Sequence, residues 1–245
     1  LKELDFGLLV AGHCTGFLLN WNVVLTAAHC VYDRATGMFA RVVIAAPGST
    51  TDSQGSPRFP YGLGGATSFD IRIPTGYVSA YGDQRYRYDF AVVRLSDTDW
   101  SSTSLGPFPD ASSPMVQPPS SILFDRQHAV IASGYPGTGC WYYQFLWCRM
   151  YAEAKYADSV VYPHPILSRP VFSTSLDVEG GQSGSAVLML PVDESSPWPY
   201  TSPFIVLGIL TGGSAIENIG TMLEASVIQA LASYCASLGC TFAYT

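Results

Sequence analysis

The stretch LTAAHCVYD, residues 25–33, places a histidine at the end of an apolar run. Residues 23–28, VVLTAA, have the composition of a buried strand, and His29 and Cys30 follow them directly. Two interpretations of His29 are open at this point. It is either a buried histidine whose two nitrogens are satisfied by neighbours, or a general base whose main chain is held by a disulfide. The second interpretation requires an acid and a nucleophile elsewhere in the chain.

Two further motifs supply an acid and a nucleophile. YRYDFAVVRL, residues 86–95, puts Asp89 immediately before a second apolar strand, where it is either a turn residue or the partner of the histidine. DVEGGQSGSAVLML, residues 177–190, puts Ser183 in a glycine turn before a strand. A glycine and serine turn of this kind can also be purely structural. However, the glycines at 180, 181 and 184 allow consecutive N–H groups to point at one spot, as an acyl-transfer nucleophile requires.

The three motifs together resemble a known family. TAAHC, DFAVVRL and GGQSGS are similar to the three signature blocks of the chymotrypsin superfamily of serine endopeptidases, and the order His29, Asp89, Ser183 is one of its triad orders. GYPGTG, residues 134–139, and GGQSGSAV resemble the glutamyl-endopeptidase-like branch more than animal trypsins. The resemblance extends from about residue 10 to residue 230.

The resemblance implies a role for each motif residue. His29 is expected to be the general base that takes the Ser183 proton, and Asp89 to hold the imidazole tautomer and stabilise the imidazolium. The N–H groups of Gly181 and Ser183 are expected to form the oxyanion hole. A Cys14–Cys30 disulfide would fix the position of the histidine segment.

The six cysteines indicate an oxidising compartment. Several connectivities are formally allowed, and pairing near neighbours gives Cys14–Cys30, Cys140–Cys148 and Cys235–Cys240. The cysteines therefore predict a secreted, extracellular protein. The sequence begins LKELDFG, without the apolar core of a signal peptide, so we expect that any signal or pro-segment has been removed.

The arrangement of short apolar segments predicts an all-β protein. These segments are rich in β-branched and aromatic residues and end at Gly, Pro, Asn or Asp. A Pro- and Ser-rich linker at 101–121 divides the chain into a first half, 1–110, carrying His29 and Asp89, and a second half, 111–245, carrying Ser183. Helical spacing of apolar residues predicts a terminal helix at about 224–238. The expected fold is two antiparallel, chymotrypsin-like β-barrels with a C-terminal α-helix.

Composition bounds the partners. A net charge of −7 argues against nucleic acid, and no apolar run approaches the roughly 18 residues of a membrane helix. No pair of histidines has ligand spacing, so neither a metal nor another cofactor is expected. The expected partners are polypeptide substrates, and a monomer is the default oligomeric state.

Specificity is predicted from the resemblance and from the residues it brings to the pocket. The substrate main chain should pair with 211–213, and the side chain before the cut bond should enter a pocket walled by 177–182, 211–213 and about 220–222. The expected substrate-binding residues are Asp177, Val178, Gln182, Leu210, Thr211, Gly212, Gly213 and Gly220. Asp177 stands six residues before Ser183, where trypsins carry the acid that binds Arg or Lys, so cleavage after basic residues is the first expectation.

Two other pocket preferences remain open. Gly213 and Gly220 are expected to leave room for a long side chain, as a basic preference requires. If Asp177 instead points to solvent, Val178 and Leu210 line a pocket that takes apolar residues. Glutamyl endopeptidases carry a histidine where this chain has Leu210, and Asp177 and Glu179 would repel a glutamate. The sequence therefore favours a basic over an apolar preference and disfavours a glutamyl one.

Other functional classes fit less well. An α/β-hydrolase needs a glycine two residues after its nucleophile and a Ser–acid–His order, whereas this chain has Ser185 there and the reverse order. A non-catalytic protease homologue that acts as a binding protein is the remaining alternative, although no triad member is missing. Gln182 occupies the position where trypsins pair an acid with a freed N-terminal amine, so the resemblance predicts that this switch is absent.

Overall fold

The computed structural model describes residues 2–3, 13–52, 54, 56–99, 128–135, 151–191, 205–213 and 217–241. The strands of the first half are β1 (Lys2–Glu3), β2 (Phe17–Asn20), β3 (Val23–Thr26), β4 (Tyr32–Asp33), β5 (Met38–Phe39), β6 (Val42–Ala45), β7 (Thr50–Thr51), β8 (Pro57–Arg58), β9 (Gly64–Thr67), β10 (Ile71–Arg72), β11 (Ala91–Arg94) and β12 (Asp97–Thr98). Those of the second half are β13 (His128–Gly134), β14 (Tyr151–Tyr156), β15 (Val160–Val161), β16 (Val171–Thr174), β17 (Ala186–Pro191), β18 (Ile205–Gly213) and β19 (Asn218–Met222). The α-helices are α1 (Thr75–Ser79) and α2 (Ala225–Ser237), and 3₁₀ segments lie at Ala28–Cys30, Ser68–Asp70, Gly82–Tyr88 and Ala157–Ser159.

The strand that precedes His29 lies inside the first half. One sheet has the order β10-β11-β3-β2 and another the order β1-β6-β9-β12, and neighbouring strands are antiparallel in both. β3, with the sequence VVLT, is buried along its whole length. Its register pairs Thr26 with Ala91, so the end of β3 lies beside the start of β11. His29 and Asp89 therefore leave the sheet at the same edge.

The second half is built on one curled antiparallel sheet with the order β14-β13-β17-β18-β19-β16-β15. β17 begins at Ala186, just after Ser183, and lies between β13 and β18. The core of this half includes Phe172, Val187 and Met222, all fully buried. Ser183 is thus placed by the entrance to a central strand.

Helix α2 packs against strands of both halves. Its buried residues Val227, Ile228 and Leu231 belong to one apolar cluster that also contains Leu25 and Val92 from the first half, and Val206 and Ile209 from the second. Gly239, with a φ of +71°, follows the helix in the left-handed conformation that glycine adopts most easily. The helix was predicted at about 224–238 and lies within those bounds.

The predicted all-β architecture with a C-terminal helix is therefore present. Disulfides Cys14–Cys30 and Cys235–Cys240 are formed, whereas Cys140 and Cys148 lie outside the described residues. The linker at 101–121 and the division between residues 110 and 111 also lie outside them, so the domain boundary stays a prediction. Within the described ranges, no helix combines the length and apolar character needed to cross a bilayer.

A partly buried ion pair joins the first half to the end of α2. Nη2 of Arg94 lies 2.7 Å from Oδ1 of Asp70, and Nη1 donates to the carbonyl of Leu238 at 2.6 Å. The N–H and hydroxyl groups of Thr67 donate to Oδ2 of Asp70. Burial would raise the pKa of the Asp70 carboxyl, but the bonds from Arg94 and Thr67 outweigh burial, and the pKa is lowered.

Replacing Asp70 by Asn should lower the free energy of unfolding at neutral pH by about 1–2 kcal/mol, because the ion pair with Arg94 loses its negative charge. The folded pKa of Asp70 lies below the unfolded value of about 3.9, so the carboxylate stabilises the fold above that pH and loses this effect as the pH falls below it. Urea unfolding should therefore show the difference between wild type and D70N shrinking from about pH 5 toward about pH 3.

Asp97, an exposed residue of β12, provides the matched control. Asp97→Asn should stay within about 0.5 kcal/mol of the wild type at each pH. A difference between wild type and D70N that is constant across the whole range would contradict the stabilising role of the charge.

Candidate active site

His29 is oriented by two hydrogen bonds to a single carboxylate. Its main-chain N–H donates to Oδ1 of Asp89 at 3.0 Å, and its Nδ1 lies 2.8 Å from Oδ2. An ionised carboxylate only accepts hydrogen bonds, so Nδ1 carries the proton and Nε2 of the neutral ring is left as an acceptor. The His29 side chain is 34% exposed. The interpretation of His29 as a fully enclosed core residue is therefore wrong.

Asp89 lies deeper than the histidine. Its side chain is 3% exposed, and it follows the 3₁₀ segment Gly82–Tyr88 at the entrance to β11. The buried Tyr77 lies in the same apolar cluster as β11 residues. Burial, and secondarily the Asp89 carboxylate, raise the pKa of Tyr77, so its phenol stays neutral and adds no charge beside the pair. The acid thus faces the histidine from a poorly solvated position.

Ser183 is brought to this pair by contacts between the two halves. The N–H of Thr15 donates to the Ser183 carbonyl at 2.8 Å, and Sγ of Cys30 lies 3.7 Å from the same oxygen. Cys30 directly follows His29 and is bonded to Cys14, the neighbour of Thr15. The disulfide and Thr15 therefore hold the main chain of the serine next to the histidine segment, which brings the three predicted triad residues to one place.

The turn before Ser183 is closed by its own hydrogen bonds. The N–H of Glu179 donates to Oε1 of Gln182 at 2.7 Å, and the N–H of Gln182 donates to the Glu179 carbonyl at 3.1 Å. Gly181 has a φ of +96° and Gly184 a φ of +87°. On the far side of the serine, Gly184 donates to the Leu210 carbonyl, and Leu210 donates to that of Ser185, which fixes the turn to β18. These positive φ values explain why the motif needs glycine at both positions.

A cavity of about 250 Å³ opens beside Ser183. It is lined by Val178, Glu179, Gly180, Gln182, Ser183, Leu210, Gly212, Gly213 and Asn218. Its size suits one amino-acid side chain rather than a large ligand. Val178, Gln182, Leu210, Gly212 and Gly213 were all expected there.

Three of the expected pocket residues do not line this cavity. Leu176 is fully buried and Asp177, the next residue, is exposed, with its N–H bonded to the Glu153 carboxylate. The Thr211 hydroxyl turns toward the Ile219 carbonyl, at 3.3 Å. At Gly220, a Cβ would overlap the ring of Phe172, so this glycine makes room for the core rather than for a substrate.

Asn218 is a lining residue that sequence reasoning did not identify. It lies opposite Gly213 in the β18–β19 register, and its Nδ2 donates to the Leu176 carbonyl at 2.7 Å. Its side-chain oxygen occupies the space beside Gly213 that a Cβ would need. The only sequence signal is an asparagine shortly after the glycine-rich segment of β18, and this does not reveal how β18 and β19 pair.

Comparison with family models matches residues 6–230 to the family described as Trypsin. The chain belongs to the trypsin family. This trypsin-family chain is 27% identical over 226 residues to a glutamyl endopeptidase of Bacillus licheniformis, covering 91% of the chain and 60% of that protein. Over 84 residues it is 46% identical to an extracellular metalloprotease of Bacillus subtilis, covering 34% of the chain and 23% of that protein. The chain thus spans less than two thirds of the length of either relative.

The fold of this trypsin-family chain is shared with a solved structure of a Glu endopeptidase in complex with MPD. The TM-score is 0.63 at 21% identity, and the match covers 94% of the chain and 87% of the solved one. The predicted chymotrypsin-like fold and the resemblance to the chymotrypsin superfamily are therefore confirmed.

Replacing Gly184 by Ala should lower the free energy of unfolding by about 2–3 kcal/mol. An alanine there would adopt an unfavourable positive φ, and its Cβ would overlap the Thr15 carbonyl oxygen and the Thr26 hydroxyl. Thermal unfolding followed by circular dichroism measures the change. Gly65→Ala in β9 is the control, since a Cβ there has no atom within 4 Å, and it should change stability by less than about 0.5 kcal/mol. Equal effects of the two substitutions would refute the close fit at Gly184.

Proposed function

We propose that this trypsin-family protein is a serine endopeptidase with the triad His29, Asp89 and Ser183. The observation that carries the proposal is the pair of hydrogen bonds between Asp89 and His29. One carboxylate oxygen binds the main chain of His29 and the other binds its ring. This leaves Nε2 as the proton acceptor of the ring, and Cys30, the next residue, contacts the Ser183 carbonyl.

The proposed reaction runs through an acyl-enzyme. The Ser183 oxygen attacks the carbonyl carbon of the scissile peptide bond while its proton passes to Nε2 of His29. The resulting oxyanion is stabilised by the N–H groups of Gly181 and Ser183. The tetrahedral intermediate collapses, the C–N bond breaks, and His29 gives its proton to the leaving amine. Water then repeats the sequence on the ester and releases the acid product and free Ser183.

Polypeptide substrates and secretion belong to the same proposal. The disulfides Cys14–Cys30 and Cys235–Cys240 suit an oxidising, extracellular compartment. The name of the Bacillus subtilis relative, an extracellular metalloprotease, is consistent with export. Analysis of the culture medium of cells that express the full-length protein tests this part.

Ser183→Ala and His29→Ala should each lower kcat by about 10⁵–10⁶-fold, since the triad acts as a unit, and Asp89→Asn should lower it by about 10⁴-fold. Hydrolysis of a peptide substrate measures the loss, and a fluorophosphonate probe should label Ser183 in the wild type. Asp83→Asn is the control and should leave kcat unchanged. It removes an exposed acid from the 3₁₀ segment Gly82–Tyr88, which directly precedes Asp89. A Ser183→Ala variant that retains a tenth of the activity would exclude the mechanism, and an unlabelled wild type would indicate a non-catalytic homologue.

We further propose that the enzyme cleaves after basic residues, with Glu179 rather than Asp177 as the acid. Among the described residues that line the cavity, Glu179 carries the only charge. Its carboxylate favours a substrate Lys or Arg and opposes Glu. Because Glu179 is exposed, its interaction with the substrate is screened by water and is worth about 0.2–1 kcal/mol.

A glutamyl preference is the second candidate, because the Bacillus licheniformis relative is named a glutamyl endopeptidase. It requires a positive group to receive the substrate carboxylate. The described lining residues contain no His, Lys or Arg, and Leu210 stands where the resemblance expects a histidine. The residues of the cavity therefore favour the basic preference over the glutamyl one.

Glu179→Gln should lower kcat/KM for substrates with Lys or Arg before the cut bond by about two- to fivefold, and raise it for Glu substrates, because the attraction of an exposed acid is lost. Profiling with a peptide library measures both changes. Asp177→Asn is the matched control. It removes the same charge two residues before Glu179, from a side chain that does not line the cavity, and it should alter neither value. Preferred cleavage after Glu, or after Leu or Phe with no response to Glu179→Gln, would overturn the basic preference.

A further inference from the structure

The peptide unit between Gly181 and Gln182 is bonded at both ends. Its carbonyl accepts a hydrogen bond of 3.0 Å from the Thr15 hydroxyl, and its N–H donates to the Glu179 carbonyl at 3.1 Å. This unit lies between the two N–H groups, of Gly181 and Ser183, that the proposed function assigns to the oxyanion hole. Fixing its plane therefore limits the directions that both N–H groups can take.

Thr15 holds the chain at a second point on the other side of Gln182. Its main-chain N–H donates to the Ser183 carbonyl at 2.8 Å. One residue of the first half thus binds the carbonyls of residues 181 and 183 in the second half. Because Gly181 has a positive φ and no side chain, contacts outside the residue must determine its orientation.

The Thr15 hydroxyl is itself held in one orientation. Thr15 is 5% exposed, and its Oγ1 accepts the N–H of Tyr135 at 2.9 Å. With that acceptor site occupied, the hydroxyl hydrogen is directed to the Gly181 carbonyl. The Thr15 carbonyl accepts the Thr26 hydroxyl at 2.7 Å, which anchors the residue to β3. The donor is therefore in place before a substrate arrives.

The residue at position 182 does not fix the turn through a charge. Gln182 is 1% exposed and neutral, and its Oε1 accepts the Glu179 N–H. The turn is therefore fixed by neutral hydrogen bonds. The bond from the Thr15 hydroxyl to the Gly181 carbonyl links it to the first half.

We propose that the Thr15 hydroxyl is a positioning residue of the oxyanion hole, which acts through the Gly181–Gln182 peptide unit and touches no reacting atom. This inference rests on the proposed serine-endopeptidase function. A group with this role stabilises the tetrahedral state more than the bound substrate, so its loss changes kcat and not KM.

Thr15→Val keeps the shape of the side chain and the main-chain bond to Ser183 but removes the hydroxyl. It should lower kcat about tenfold, with KM unchanged, because removal of a direct oxyanion donor costs about 10²–10³-fold and a positioning group less. Binding of a peptide aldehyde, which forms a tetrahedral adduct with the serine, should weaken by the same factor. Binding of the corresponding product acid should not change. Thr15→Ser, which keeps the hydroxyl, should remain within about twofold of the wild type in all four quantities.

The Asp70→Asn variant controls for lost stability, because it weakens an ion pair outside the site and should leave the aldehyde and product affinities at wild-type values. An active wild type with an unchanged kcat or aldehyde affinity in Thr15→Val would refute the role of Thr15 alone. If Thr15→Val does not fold, Thr15→Ala is measured in the same way. Failure of both to fold while Thr15→Ser folds would assign the hydroxyl to stability and overturn the inference. If the wild type neither turns over peptide nor reacts with the fluorophosphonate, this inference and the proposed function both fall.

Discussion

A carboxylate that is 3% exposed must have hydrogen-bond donors, and both oxygens of Asp89 obtain theirs from His29. This requirement constrains the rest of the structure, because it fixes the main chain and the ring of the histidine at once. The antiparallel register of β3 and β11 makes it achievable, since Thr26 and Ala91 stand opposite each other. A slip of one residue would turn every buried side chain of β3 to the other face and separate the pair. The register that stabilises the sheet therefore also determines the geometry of the site.

The nucleophile comes from the other half of the chain and is held by small residues. Thr15 reaches two carbonyls of the serine turn, and Gly184 lies so close to Thr15 and Thr26 that no Cβ fits between them. Elsewhere the halves share an apolar cluster with α2. Apolar burial supplies the attraction between the halves, and short polar contacts determine their alignment at the site. Neither is visible as a local pattern, because the partners are more than a hundred residues apart in sequence.

Features with a local signal can be predicted from this sequence, whereas features that depend on neighbours in space cannot. The strand before His29, the glycine turn around Ser183 and the helix at the end each have a periodicity or a residue type that local physics requires. Asp177 was expected in the pocket from its distance to Ser183, but it is exposed, next to the fully buried Leu176, and does not line the cavity. Gly220 was expected to open the pocket, yet Phe172 from another strand occupies that space. Asn218 could not be found without the β18–β19 register.

The position of α2 has a consequence for how the protein is made. The helix covers Leu25 and Val92, which lie in the two strands that bring His29 and Asp89 together. On the ribosome, this segment emerges after all three of the residues assigned to the triad, at about 5–20 residues per second. Without α2, the apolar side chains that these strands contribute to the shared cluster would be open to water. If the triad acts as proposed, we expect hydrolytic activity to appear only after α2 has docked.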